Sequence, residues 1–163
     1  MRLARLPSDR RVSGCLRANF TPMTDHDALQ ALKARYCRLL DTKDWAGFAD
    51  LFTEDAVLDV TADTGQPPFC GRGALIAAIQ HAVAHARTAH HVHSPEITVE
   101  GDRATAIWAM QDRVIWDSGQ SPIPPHTGIT GYGHYHETYR RADSDNWRIA
   151  SLTLTRLLVE MDD

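Results

Sequence analysis

In "TDHDALQALKARYCRLLD", apolar side chains at Leu29, Leu32, Tyr36, Leu39 and Leu40 recur at helical spacing. Thr24 or Asp25 stands ready as N-cap, which predicts a first amphipathic helix. "DWAGFADLF" predicts a short second helix capped by Asp44, with Trp45, Phe48, Leu51 and Phe52 turned inward. A brief strand over Ala56–Val60 follows. "TADTGQPPFCGRG" reads as loop from its Gly and Pro content, and "ALIAAIQHAVAHA" as a third helix. From Thr88 onward the period changes to two. "HVHSPEITVE", "RATAIWAMQDRVIWD", "TGYGHYHETYRR" and "NWRIASLTLTRLLVE" are four strand-length segments separated by turn-forming residues. Helices first and antiparallel strands after them define a segregated α+β fold: three N-terminal helices packed in a curved, mostly antiparallel sheet. A pocket between the two layers is the natural place for a small ligand.

Alternation exposes polar residues in rows that should be apolar. One row of the second long strand reads Ala104, Ala106, Trp108, Met110, Asp112, Val114, Trp116, so a carboxylate interrupts it. The last strand offers Ala150, Leu152, Leu154, Arg156, Leu158, interrupted by a guanidinium. A buried lone charge is costly, so Asp112 and Arg156 either pair with each other or face a polar cavity. Tyr36 lies on the inward stripe of the first helix, and its hydroxyl calls for a buried partner. Asp41 ends that helix, where the macrodipole disfavours a carboxylate; it either caps the following turn or is held for another purpose.

"TAHHVHSPEI" places His90, His91 and His93 within four positions. Unbroken alternation back from Ile97 and Val99 sends His91 and His93 inward. A bulge at Pro95, which cannot donate to a ladder, would reverse this and turn His90 inward. Parity alone leaves both open. His91 and His93, with His134 and His136 in "GHYHE" and the nearby Glu137, could also furnish a metal site, but H-x-H is a weak motif and no metal is assigned.

Composition narrows the picture. The chain has 163 residues, 43% hydrophobic and 23% charged, in the range of one globular domain. Five Arg against Asp9 make residues 1–22 a basic segment, read as a disordered leader, and residues 23–163 form the single folded domain. The acidic remainder argues against nucleic acid. No apolar run reaches the roughly 20 residues of a membrane span. Three cysteines without C-x-x-C spacing fit a reducing cytoplasm better than a disulfide framework. Neither a G-x-S-x-G elbow nor a Gly-rich phosphate loop is present.

"RYCRLLD", "HHVHSPEI", "AIWAMQD" and "LTR" together resemble the SnoaL-like branch of the nuclear-transport-factor-2-like superfamily from about Asp25 to Val159. The similarity is nearest to lyases of the bile-acid dehydratase and scytalone dehydratase type. That resemblance implies a cone-shaped α+β barrel and a pocket built from Tyr36, Asp41, His90, Asp112 and Arg156. It implies a cofactor-free dehydratase or isomerase acting on a hydrophobic cyclic carbonyl compound. His90 would be the base, since imidazole changes charge near neutral pH. Asp41 would orient it and Tyr36 would donate to the carbonyl oxygen. Asp112 and Arg156 would bind polar substrate groups or neutralise each other, with Trp108, Met110, Phe48 and Leu154 as apolar lining. The alternatives are a non-catalytic binding module and a dioxygenase β-subunit-like structural partner. A homo-oligomer is expected, a trimer before a dimer.

Overall fold

The computed structural model describes residues 23–143 and 146–163; the basic segment lies outside the described residues. Helix α1 (Asp25–Asp41) starts in a reciprocal capping box, in which Thr24 Oγ1 accepts from the Asp27 amide and the Asp27 carboxylate accepts from the Thr24 amide. Its buried stripe is Leu29, Leu32, Lys33, Tyr36, Cys37, Leu39 and Leu40. A turn ending in Lys43, which has a left-handed φ of 60°, leads into α2 (Trp45–Ala49), capped by Asp44.

Strand β1 (Phe52–Asp59) begins four residues earlier than its apolar run suggested. The presumed loop after it contains a single helical turn, α3 (Thr61–Thr64), and a two-residue strand, β2 (Phe69–Cys70), so the described residues hold four helices where the pattern predicts three. Neither element has an apolar period long enough to detect. Each is held from outside, β2 by pairing with β1 and α3 by an ion pair described below.

Helix α4 (Arg72–Val83) is followed by β3 (Ala86–Glu100), β4 (Arg103–Trp116), β5 (Gly128–Asp143) and β6 (Asn146–Asp162). The sheet runs β2-β1-β6-β5-β4-β3, antiparallel except for β1 with β6, and it is curved but open, with β2 and β3 at its edges. Its concave face and α1, α2 and α4 bury one main apolar cluster, centred on Leu29, Leu32, Phe48, Leu75, Trp108 and Ile149. Asp25 ties the start of α1 to the far end of the sheet by accepting from Arg141 and from the Trp147 indole. No helix among the described residues is long and apolar enough to cross a membrane.

Strand parity decides which residues reach the concave face. In β4 the predicted row holds throughout: Ala104, Ala106, Trp108, Met110, Asp112, Val114 and Trp116 are all buried. In β3 the register slips between His93, opposite Ala109, and Glu96, opposite Ile107. Ser94, with φ of 46°, and Pro95 form the bulge. Ile97 and Val99 lie inward after it; Val92 and His90 lie inward before it. In β6, bulges on either side leave only Leu152, Leu154 and Arg156 of the predicted row inward, and Trp147 and Ile149 continue the buried face before them. Ala150 drops out, and Leu158, half exposed, pairs with Tyr132 on the other face.

Candidate active site

His90 and Asp112 are direct cross-strand partners on β3 and β4, and Gly131 of β5 lies opposite Asp112. The last turn of α1 packs over this row and brings Asp41 to His90. Asp41 Oδ1 lies 2.6 Å from His90 Nδ1, and Oδ2 accepts from the His90 backbone amide at 2.9 Å. Thr88, two residues before His90 on the same face, donates to Asp41 Oδ1 at 2.8 Å, and Lys43 Nζ donates in turn to Thr88 Oγ1 at 2.8 Å. Asp41 therefore does not cap its turn; Thr42 takes the C-cap position.

Burial pushes the Asp41 carboxyl up, but the bonds from His90 and Thr88 outweigh it and hold the group below its ordinary value. An ionised Asp41 accepts only, so the proton of the neutral imidazole sits on Nδ1 and the lone pair on Nε2. Lys43, partly desolvated, is held below its usual range despite the attraction of Asp41.

Arg156 and Asp112 form a bidentate pair at 2.9 and 2.8 Å, and Arg156 Nε donates to Asp63 of α3 at 2.6 Å. Desolvation works against the guanidinium's charge, but these carboxylates more than offset it. Arg156 is thus turned towards protein carboxylates, and the mutual-neutralisation reading describes its geometry. Gly131 makes room for the pair: a Cβ there would overlap both the Arg156 guanidinium and the Asp112 carboxylate.

Tyr36 is buried against Phe48, Phe52 and Tyr135, with ring centroids 5.0, 6.2 and 5.9 Å away. The expected buried partner for its hydroxyl is not found among the described residues. Tyr135, equally buried, likewise shows no hydroxyl partner among the described residues. Burial, reinforced by nearby carboxylates, pushes both hydroxyls well above the usual tyrosine range, which keeps them protonated donors.

Of the expected apolar lining, Met110 and Leu154 adjoin the site on the concave face. Phe48 is fully buried inside the aromatic cluster, and Trp108 gives its indole N–H to Tyr139 at 2.8 Å. Both belong to the main apolar cluster, as Met110 and Leu154 do. His91 and His93 lie exposed on the convex face, which His134, half-buried, and His136, exposed, share on β5, and no group of three or more metal-type ligands converges among the described residues. A surface groove between the end of α4 and the β4–β5 loop, lined by Gln80, His81, His85 and Gln120, shares none of the site residues.

Some polar residues here escaped the pattern reading. Lys33 falls in the inward stripe of α1 at i, i+3 from Tyr36, and its Nζ contacts Glu137 Oε1 at 2.5 Å with both side chains fully buried. Glu137 interrupts the inner row Gly131, Gly133, Tyr135, Tyr139 of β5 in the way Asp112 interrupts that of β4, so the same parity test would have flagged it. Asp63 had no signal, because α3 has none.

The architecture, an open curved sheet wrapped over N-terminal helices, is that of the nuclear-transport-factor-2-like proteins. A model of the SnoaL-like domain matches residues 21–153, and the chain belongs to that family. It is similar to a protein of Gibberella zeae named as a probable cyclase, at 26% identity over 79% of this chain and 89% of the relative. Among solved structures it resembles a nuclear-transport-factor-2-like protein with a cystatin-like fold from Novosphingobium aromaticivorans, at 26% identity, TM-score 0.59 and 82% coverage of each chain. A candidate scytalone dehydratase from Novosphingobium aromaticivorans superposes with TM-score 0.69, covering 83% of this chain and 85% of that one; at 19% identity it speaks to the fold alone.

Proposed function

We propose that the protein is a cofactor-free lyase or isomerase acting on a hydrophobic cyclic carbonyl compound. The observation that carries this reading is the 2.6 Å contact between Asp41 Oδ1 and His90 Nδ1, which leaves Nε2 as a base on the inner face of the sheet, beside the paired Asp112 and Arg156. The name of the Gibberella zeae relative, a probable cyclase, fits chemistry that begins by removing a proton beside a carbonyl.

In this scheme Nε2 takes the α-proton, and the electron pair moves into the carbonyl to form an enolate. Tyr36 donates to the enolate oxygen, a donor placed where charge develops. The Asp41 carboxylate stabilises the imidazolium. For elimination, the enolate re-forms the carbonyl and expels a β-hydroxyl, which leaves as water with the proton returned from Nε2. For isomerisation, the same proton is delivered to another carbon. Asp112 and Arg156, paired with each other, hold the wall beside His90 without adding net charge.

Incubating the protein with hydroxylated cyclic ketones and thioesters, and watching by mass spectrometry for loss of water, tests the proposal. Turnover should appear with the wild type and vanish in a folded His90→Ala variant. An active His90→Ala enzyme would sink it. Tight ligand binding without turnover, indifferent to Asp41→Asn, would favour a binding module instead.

A further inference from the structure

Two buried charges near the site take no part in the scheme above. Lys33 Nζ lies 3.8 Å from the centroid of the Tyr36 ring and 3.8 Å from that of Tyr135, on rings inclined at 63°. Glu137, two residues from Tyr135 on the same face of β5, accepts from Nζ through Oε1, and its Oε2 accepts from Tyr139, whose oxygen accepts from the Trp108 indole. The ammonium is completely enclosed and meets one carboxylate and two aromatic faces.

The two ring faces stabilise the desolvated ammonium, yet neutralising Glu137 alone does not call for a lysine, because an apolar pair of similar volume would cost less to bury. The two clamped rings are also the ones whose hydroxyls remain without a partner among the described residues. Cation–π attraction depends on the cation lying over the ring face, so the clamp fixes the plane of each ring and with it the line of each C–O bond.

We propose that Lys33 is a positioning residue: wedged between Tyr36 and Tyr135 and anchored by Glu137, it aims both free hydroxyls at one substrate oxygen. The inference rests on the reading of Tyr36 as donor to a developing oxyanion. Misaimed hydroxyls lose most against an anionic oxygen, whose charge-assisted hydrogen bonds are the stronger, so loss of the clamp weakens binding of an anion more than of a neutral molecule of the same shape.

The probe is 2-naphthol, whose naphtholate imitates an enolate, with 2-methoxynaphthalene as its neutral counterpart; binding and ionisation are both read from fluorescence. Because Lys33→Met alone strands a buried carboxylate, the informative variant is Lys33→Met with Glu137→Gln, which removes both charges, with folding checked by thermal unfolding. We expect naphtholate binding to fall by about tenfold, the order that a desolvated cation–π contact supplies, while methoxynaphthalene binding stays within about threefold. Lys33→Gln with Glu137→Gln, which keeps a hydrogen-bonding pair but leaves no cation over the rings and both tyrosines intact, should show the same selective loss and serves if the methionine variant does not fold. Naphtholate binding at wild-type strength in a folded variant, equal loss for both probes, or no uptake of naphtholate by the wild type would each overturn the proposal. Failure of the water-loss screen with the selective effect intact would count against the proposed reaction and leave the role of Lys33 standing.

Discussion

Asp41 receives three hydrogen bonds at the one helix end where a carboxylate is least welcome. Two come from the side chain and amide of His90, so its removal should be felt at the imidazole before anywhere else. With whichever compound proves to be turned over, Asp41→Asn should lower kcat by roughly a hundredfold or more, since an amide no longer dictates the Nδ1–H tautomer. Circular dichroism should show the fold kept. Its acid behaviour carries a definite sign. The folded carboxyl lies below its ordinary value of 3.8, so the stability it contributes is complete above that value and is lost as pH falls through the lower folded one. Urea midpoints measured from pH 6 to pH 3 should therefore fall less steeply in Asp41→Asn than in the wild type. The residue types at Tyr36, Asp41, Asp112 and Arg156 were legible as oddities of pattern; that Asp41 meets His90, 49 positions away, was implied only by the resemblance, since no local pattern links the two.

At the scale of elements, a single extra residue in β3 determines which histidine faces the core. Unbroken alternation from Ile97 would have buried His91 and His93; the bulge at Ser94 and Pro95 buries His90 instead. Pro95 made that break legible as one of two alternatives, because proline cannot join the ladder. The bulges in β6 had no such marker, and Ala150 and Leu158 were accordingly placed on the wrong face by simple alternation. The β3 bulge has a conformational cost, since a side chain at φ of 46° is disfavoured by about 1–2 kcal/mol. Ser94→Gly should raise stability by up to about 1 kcal/mol, and Ser94→Val should lower it by more than about 1 kcal/mol, as read from urea unfolding. A glycine variant less stable than wild type would mean that Ser94 is held there by something other than backbone conformation.

For the molecule as a whole, the Lys33–Glu137 pair stitches α1 to the centre of the sheet across 104 positions of sequence. Neither partner has access to water, so removing one leaves the other's charge uncompensated. Lys33→Met should destabilise the protein by about 3–5 kcal/mol, and adding Glu137→Gln should recover most of that loss, as measured by chemical denaturation. Equal instability of the single and double variants would show that the lysine stem, and not the charge balance, matters. The chain by itself determined the order of the long helices and strands, the apolar faces of α1 and β4, and some of the polar residues that interrupt such faces. Those properties follow from local periodicity and turn chemistry, which depend on neighbours a few residues apart. Only the tertiary structure decided the partners: Asp41 with His90, Arg156 with both Asp112 and Asp63, and Lys33 with Glu137 between two tyrosines. Sheet curvature and strand register set those meetings, and both arise from packing between segments that the sequence keeps far apart.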